Sequence, residues 1–138
     1  MKPGAEEIAR LIWREDEASK WLGMALEEVR AGYARVSMEV RAQMVNGQKL
    51  CHGGLIFALA DSSFGFACNA HNHKAVAASC TIEFLRPGAL GDRLTAEATE
   101  SARAGRSGFY DVKVTNQHGD LVALFRGKSA MVKGVWIE

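Results

Sequence analysis

Asp61 is the one charge in the run from Leu55 to Phe66, which also holds Ile56, Phe57, Leu59 and Phe64. A carboxylate buried there without a partner would cost several kcal/mol. Eight residues before it, His52-Gly53-Gly54 opens the same stretch. The first N–H groups of a helix have no partner inside it and point outward as donors. With the helix dipole behind them they suit a carbonyl oxygen on which negative charge develops, and glycine lets such a group come close. A Gly-Gly pair alone is explained as well by tight packing, and an Asp alone by capping of a neighbouring strand. Together they suit chemistry at a carbonyl.

Spacing constrains how the two could cooperate. Asp61 is eight residues beyond Gly53, about 12 Å along a helix at 1.5 Å per residue. A catalytic group must lie within about 3 to 3.5 Å of its target, directly or through one water, so one carbonyl cannot touch both. If they act jointly, Asp61 comes from one subunit and Gly53 from another, on helices antiparallel across a two-fold axis. A symmetric dimer would then carry two identical sites.

The elements that must hold these residues follow from periodicity. Residues 5–21 place Ile8, Leu11, Ile12, Trp13, Ala18 and Trp21 at helical intervals, with a break expected near Asp16. Met24–Val29 and Tyr33–Ala42 read as paired strands about Gly32, the second with strict alternation. His52–Asn69 is too long for a strand and apolar on nearly every face, so it is expected as a helix enclosed by other elements. Four alternating strands follow, punctuated by Arg86-Pro87-Gly88, Ala104-Gly105 and His118-Gly119-Asp120. This order suits an α+β architecture, an antiparallel meander wrapped around one long central helix.

Composition limits the partners. The 138 residues, 48% hydrophobic and 24% charged, fit one soluble globular domain spanning 1–138. A net charge of +1 argues against a dedicated nucleic-acid binder, which needs a basic face. No apolar run is long enough for a membrane span. The start, MKPGAEEIARLIWREDE, lacks the basic and apolar blocks of a secretory leader, and Cys51, Cys68 and Cys80 suit free thiols, so a cytoplasmic location is expected.

Asn46, the segment HGGLIFALADS from His52 to Ser62, and FLRPG from Phe84 to Gly88 resemble the hotdog-fold acyl-CoA thioesterases, most closely the phenylacetate-degradation group called PaaI. The resemblance runs from about Trp21 to Val132. It implies hydrolysis of a thioester such as phenylacetyl-CoA or a ring-hydroxylated relative, with Asp61 as general base on water, or less readily as direct nucleophile. By the same resemblance Gly53 N–H and the Asn46 side chain polarise the carbonyl, His52 stands near the leaving group or carbonyl, and Ser79 helps orient the water. Gly54 and Ser62 belong to the same motifs as substrate-binding candidates. Arg86 and Arg106 are candidates for the coenzyme A phosphates. No cofactor is implied, since coenzyme A is part of the substrate. A homodimer at least, extended to a homotetramer, is expected. Two other readings share the fold: a hydratase or dehydratase, which would present a His-Asp or His-Glu pair not evident in the sequence, and a non-catalytic acyl-CoA sensor.

Other constellations carry less. His71-Asn72-His73 and Cys51-His52 contain metal-ligand types, but no second pair at zinc spacing accompanies them, and no metal site is expected. Gly127-Lys128-Ser129 lacks the leading glycine of a phosphate loop, since position 122 is Val. Cys51 and His52 are adjacent, so on a helix they would point about 100° apart and be poorly set for proton transfer.

Overall fold

The structure, a computed structural model, describes residues 4–138. Helices α1 (Ala5–Glu15) and α2 (Glu17–Trp21) meet at the expected break. Asp16 leaves the helical conformation there and caps α2, its Oδ1 accepting from Ser19 N–H at 3.0 Å. Gly23, at φ +72°, ends α2, with Met24 N–H donating back to Ser19 O at 3.0 Å.

Strands β1 (Ala25–Arg30) and β2 (Tyr33–Glu39) form the predicted hairpin, turning at Gly32 with φ +77°. The second strand stops three residues earlier than its alternation suggests, because Ala42–Met44 winds into a short 3-10 turn. Helix α3 (Gly53–Asn69) follows, then β3 (His73–Phe84), β4 (Arg93–Ala104), β5 (Ser107–Thr115) and β6 (Leu121–Val135). His73 opens β3. Among the described residues no helix is long and apolar enough to cross a membrane.

All six strands form one antiparallel sheet in the order β1-β2-β4-β5-β6-β3, and α3 lies against every one of them. The fold is therefore the expected hotdog arrangement, but not a simple meander. Beyond the β1–β2 hairpin, only β4, β5 and β6 follow one another; β3 pairs with β6 at the far edge. The segment joining β3 to β4 crosses near the start of α3, where Gly88 O accepts from Cys51 N–H at 2.8 Å and Asp92 O from Val40 N–H at 2.8 Å.

The core forms where α3 meets the strands. Phe64 packs against Tyr110 and Phe125 with ring centroids 5.5 and 5.9 Å away, and Phe57 meets Phe125 at 5.3 Å. A Cβ on Gly127 would fall 2.8 Å from the Phe64 ring, so only glycine lets the helix lie this close to β6. The expectation of a fully enclosed helix needs correcting. Phe57, Ala58, Asp61, Ser62 and Gly65 are only half-buried and Gly54 is exposed. These positions recur every three or four residues, one open stripe along α3.

Candidate active site

The start of α3 is built by His52. Its Nδ1 accepts from Gly54 N–H at 2.9 Å, while His52 O takes the N–H groups of Leu55 at 2.9 Å and Ile56 at 3.3 Å. The first-turn donors are thus consumed except that of Gly53, which has no partner among the described residues. Gly54 therefore cannot offer its N–H to a substrate. Its own lack of a Cβ serves the cap, since a Cβ there would sit 3.0 Å from His52 Nδ1. The bond also fixes the imidazole as an acceptor at Nδ1, so a neutral ring carries its proton at Nε2.

Asn46 is set beside this donor by a turn of its own. Its Oδ1 accepts from Gln48 N–H at 2.9 Å and Leu50 N–H at 3.2 Å, which leaves its amide NH₂ free to donate. Asn46, Gly53, Ile56, Phe84 and Arg86 line one open cleft of about 330 Å³. The Phe84 ring closes over Gly53, where a Cβ would lie 3.2 Å from it. Two neutral N–H donors on the wall of one apolar cleft are groups of the kind that suits a carbonyl oxygen developing negative charge.

Asp61 sits two turns along α3 on the open stripe. Burial pushes its carboxyl above the usual carboxylate range, and no ion pair or hydrogen bond reaches it among the described residues. Burial also raises the Cys80 thiol, with the charge of Asp61 adding to it, and burial carries the Cys68 thiol up to about 12. These thiols stay protonated and inert.

Cys80, which the sequence offered only as a free thiol, packs on the core from β3 together with Ala75 and Ile82. It lies opposite Gly127, whose missing Cβ makes room for Phe64. Ser79 instead pairs with exposed Lys128 and is itself exposed, on the sheet face turned away from α3. An irregularity between Ala77 and Ser79 sets this register. The chain's own Ser79 is therefore not brought to Asp61. Ser62 is engaged elsewhere too, its Oγ 2.9 Å from Ser19 Oγ.

The two arginines stand far apart. Arg86 N–H reaches Val122 O, its Nε donates to Leu121 O at 3.1 Å and its guanidinium is 3.5 Å from Asp120. Arg106, exposed in the β4–β5 turn, accepts from Met131 N–H through its carbonyl. From Val122 to Met131 is nine residues of β6, roughly 30 Å at the rise of a strand.

A His-Glu pair does exist, although the sequence did not reveal it. His71 Nε2 is 2.7 Å from Glu100 Oε1, which also accepts from the buried Tyr110 hydroxyl at 2.8 Å. The pair lies beyond the end of α3 at Asn69, about 24 Å along the helix from Gly53.

Comparison with known proteins agrees with this fold. The model of the thioesterase superfamily matches residues 48–123, which leaves α1, α2, β1, β2 and most of β6 outside the match. The acyl-coenzyme A thioesterase PaaI of Escherichia coli is 45% identical over 97% of this chain and 96% of its own. The solved structure of E. coli PaaI, from the phenylacetic acid degradation operon, superposes with a TM-score of 0.93 over 95% of both chains. A Thermus thermophilus protein is 38% identical, covers 83% of this chain and 96% of its own, and has a TM-score of 0.80. A Streptococcus mutans protein solved with acetyl CoA is 27% identical over 81% of this chain and 90% of its own, with a TM-score of 0.78. The chain belongs to the thioesterase superfamily, and within it to the PaaI family of acyl-coenzyme A thioesterases.

Proposed function

We propose that this protein hydrolyses phenylacetyl-CoA, or a ring-hydroxylated relative, to the free acid and CoA at a site shared by two copies of the chain. The observation that carries the reading is a half-buried Asp61 with no partner of its own, on the same helix as the unpaired Gly53 N–H. Each is half of a hydrolytic site, and about 12 Å of helix keeps the halves of one chain apart.

In this reading Gly53 N–H and the Asn46 amide of one copy hold the thioester carbonyl oxygen. Asp61 of the other copy takes a proton from water as the water oxygen bonds to the carbonyl carbon. Collapse of the tetrahedral intermediate breaks the C–S bond and releases the thiolate of CoA. His52, with its proton at Nε2, is suited to meet that sulfur. No cofactor enters the balance. Arg86 and Arg106, roughly 30 Å apart in one chain, can flank one CoA only if they too come from different copies.

The edge strand supports the assembly. β3 runs for 12 residues at the rim of the sheet with exposed Val76 and Phe84. An uncovered edge of that length invites pairing with a second chain. A tetramer would be two such dimers, and a cytoplasmic setting suits three free thiols. A hydratase built on His71 and Glu100 is disfavoured by the distance of that pair from the donor cleft.

The test is release of free thiol from phenylacetyl-CoA and from a panel of aliphatic acyl-CoAs, with Asp61→Asn in parallel. Aryl-selective turnover that falls by about 10² or more in the variant supports reaction and role together. Turnover that survives the substitution removes Asp61 from the mechanism. Binding without turnover on any substrate points to a sensor, and water addition to an enoyl-CoA to a hydratase.

A further inference from the structure

A serine inside a helix usually returns its hydroxyl to a carbonyl of the preceding turn. Ser63 does so, donating to Ala60 O at 2.8 Å. Ser62, next to Asp61, instead lies 2.9 Å from the hydroxyl of Ser19, a residue of α2 only 2% exposed. Ser19 Oγ is in turn 2.7 Å from Asp16 Oδ2, and its backbone N–H is 3.0 Å from Asp16 Oδ1. A carboxylate only accepts, so the single hydroxyl proton of Ser19 goes to Asp16, and Ser62 must be the donor to Ser19. The chain of bonds has one direction, from Ser62 through Ser19 to Asp16.

The five-residue helix that supplies Ser19 is held at both ends. Asp16 caps its start, Gly23 closes its last turn, and Arg41 Nη2 donates to Trp21 O at 2.8 Å. So firm a mounting brings a buried hydroxyl onto α3 one residue from the proposed base.

We infer that Ser19 is a positioning residue for Asp61: the Asp16–Ser19–Ser62 chain clamps α2 to α3 at the residue next to Asp61 and so shields that turn of the helix from water. The inference rests on the reading of Asp61 as the base. Released from the clamp, α2 lifts, water reaches Asp61, and both its protonation and its aim change. The titratable groups around it are Cys68 on α3, Cys80 on β3 and, behind Ser19, Asp16 at the cap of α2.

Two variants test this. Ser19→Ala removes both side-chain bonds. Asp16→Asn keeps an N-cap acceptor of equal quality but can turn a donor toward the Ser19 hydroxyl and so break the direction of the chain. Three readouts are taken on the full-length protein: carboxyl-carbon NMR titration of Asp61, the pH profile of kcat/KM with phenylacetyl-CoA, and thermal unfolding. In Ser19→Ala the Asp61 titration and the acidic limb move together to lower pH. The same variant lowers kcat by about tenfold, as a misaimed group does, with KM within about twofold. Asp16→Asn moves both titrations the same way by less. Titration and kcat equal to wild type, with only the unfolding midpoint lowered, overturn the inference. If Ser19→Ala does not fold, Asp16→Asn decides by the same criteria. If the wild type hydrolyses no thioester, the reaction is misread, and the Asp61 carboxyl titration still decides the clamp.

Discussion

Asp61 is costly to the fold, and useful to the site in the proposed mechanism, for one reason, the burial that raises its pKa. The folded chain keeps the carboxyl proton at pH values where the unfolded chain has released it. Between the ordinary value, about 3.9, and the raised one, stability falls as pH rises, and above both the loss persists in full. Asp61→Asn should therefore raise the unfolding midpoint at neutral pH, and the gain should vanish below the ordinary carboxylate range. Thermal unfolding over a pH series checks this; a variant less stable than wild type at neutral pH would contradict the burial argument. For activity the sign is set by the base being needed ionised. The kcat/KM of the wild type should fall as pH drops through the raised value, giving an acidic limb above the ordinary carboxylate position.

Gly53 matters for space as much as for its N–H. A methyl at 53 would press on Phe84 from 3.2 Å and narrow the cleft that Asn46 shares. Gly53→Ala should lower kcat/KM by at least about tenfold, the scale of a displaced reacting group. Phe84→Leu in the same chain should restore part of the loss. Steady-state kinetics on the single and double variants measure the coupling, and simple additivity would mean the ring is not what the methyl meets.

At the scale of elements, the closest approach in the core is α3 on β6. Gly127→Ala would drive a Cβ to 2.8 Å from the Phe64 ring, an overpacking that should cost about 1 to 3 kcal/mol. Urea unfolding should show a lower midpoint at unchanged slope, with Phe64→Leu recovering part of the loss. What was legible before the structure follows the same lines. Gly53 and Asp61 stood out by residue type and spacing and Asn46 by resemblance, and the fold sets Asn46 and Gly53 on one cleft; α3 was readable because its length exceeds a strand. Ser79 came from resemblance alone, and the face it takes was not legible, because the irregularity between Ala77 and Ser79 shifts the face of every residue past it and counting by twos cannot see an inserted residue. The exchange that puts β3 beside β6 was equally hidden, since no residue marks which strand will pair across the helix. The His71–Glu100 pair was out of reach too, 29 residues apart in sequence. The Asp16–Ser19 cap was on the page as an Asp three residues before a Ser, at a break already expected; only the reach of Ser19 to Ser62 needed the fold.

The whole molecule is where the two halves of the proposed site must meet, and mixing of inactive chains tests it directly. Take Asp61→Asn and Gly53→Val, each expected to be inactive alone, and co-express them with separate affinity tags. If Asp61 of one copy works with Gly53 of the other, a mixed dimer has one site carrying both changes and one carrying neither. Random assortment makes half of the dimers mixed, each with one of two sites intact, so about a quarter of wild-type activity should return. Dimers purified through both tags should show about half. A site contained within one chain predicts nothing from any mixture, since every chain then carries a lesion. Mass measured in solution must show the dimer for the experiment to apply. The long bare edge of β3 is the surface on which that dimer should form, and Val76→Lys there should lower the mass and the activity together. Loss of mass with activity kept would return the site to a single chain, against the 12 Å of helix between Gly53 and Asp61.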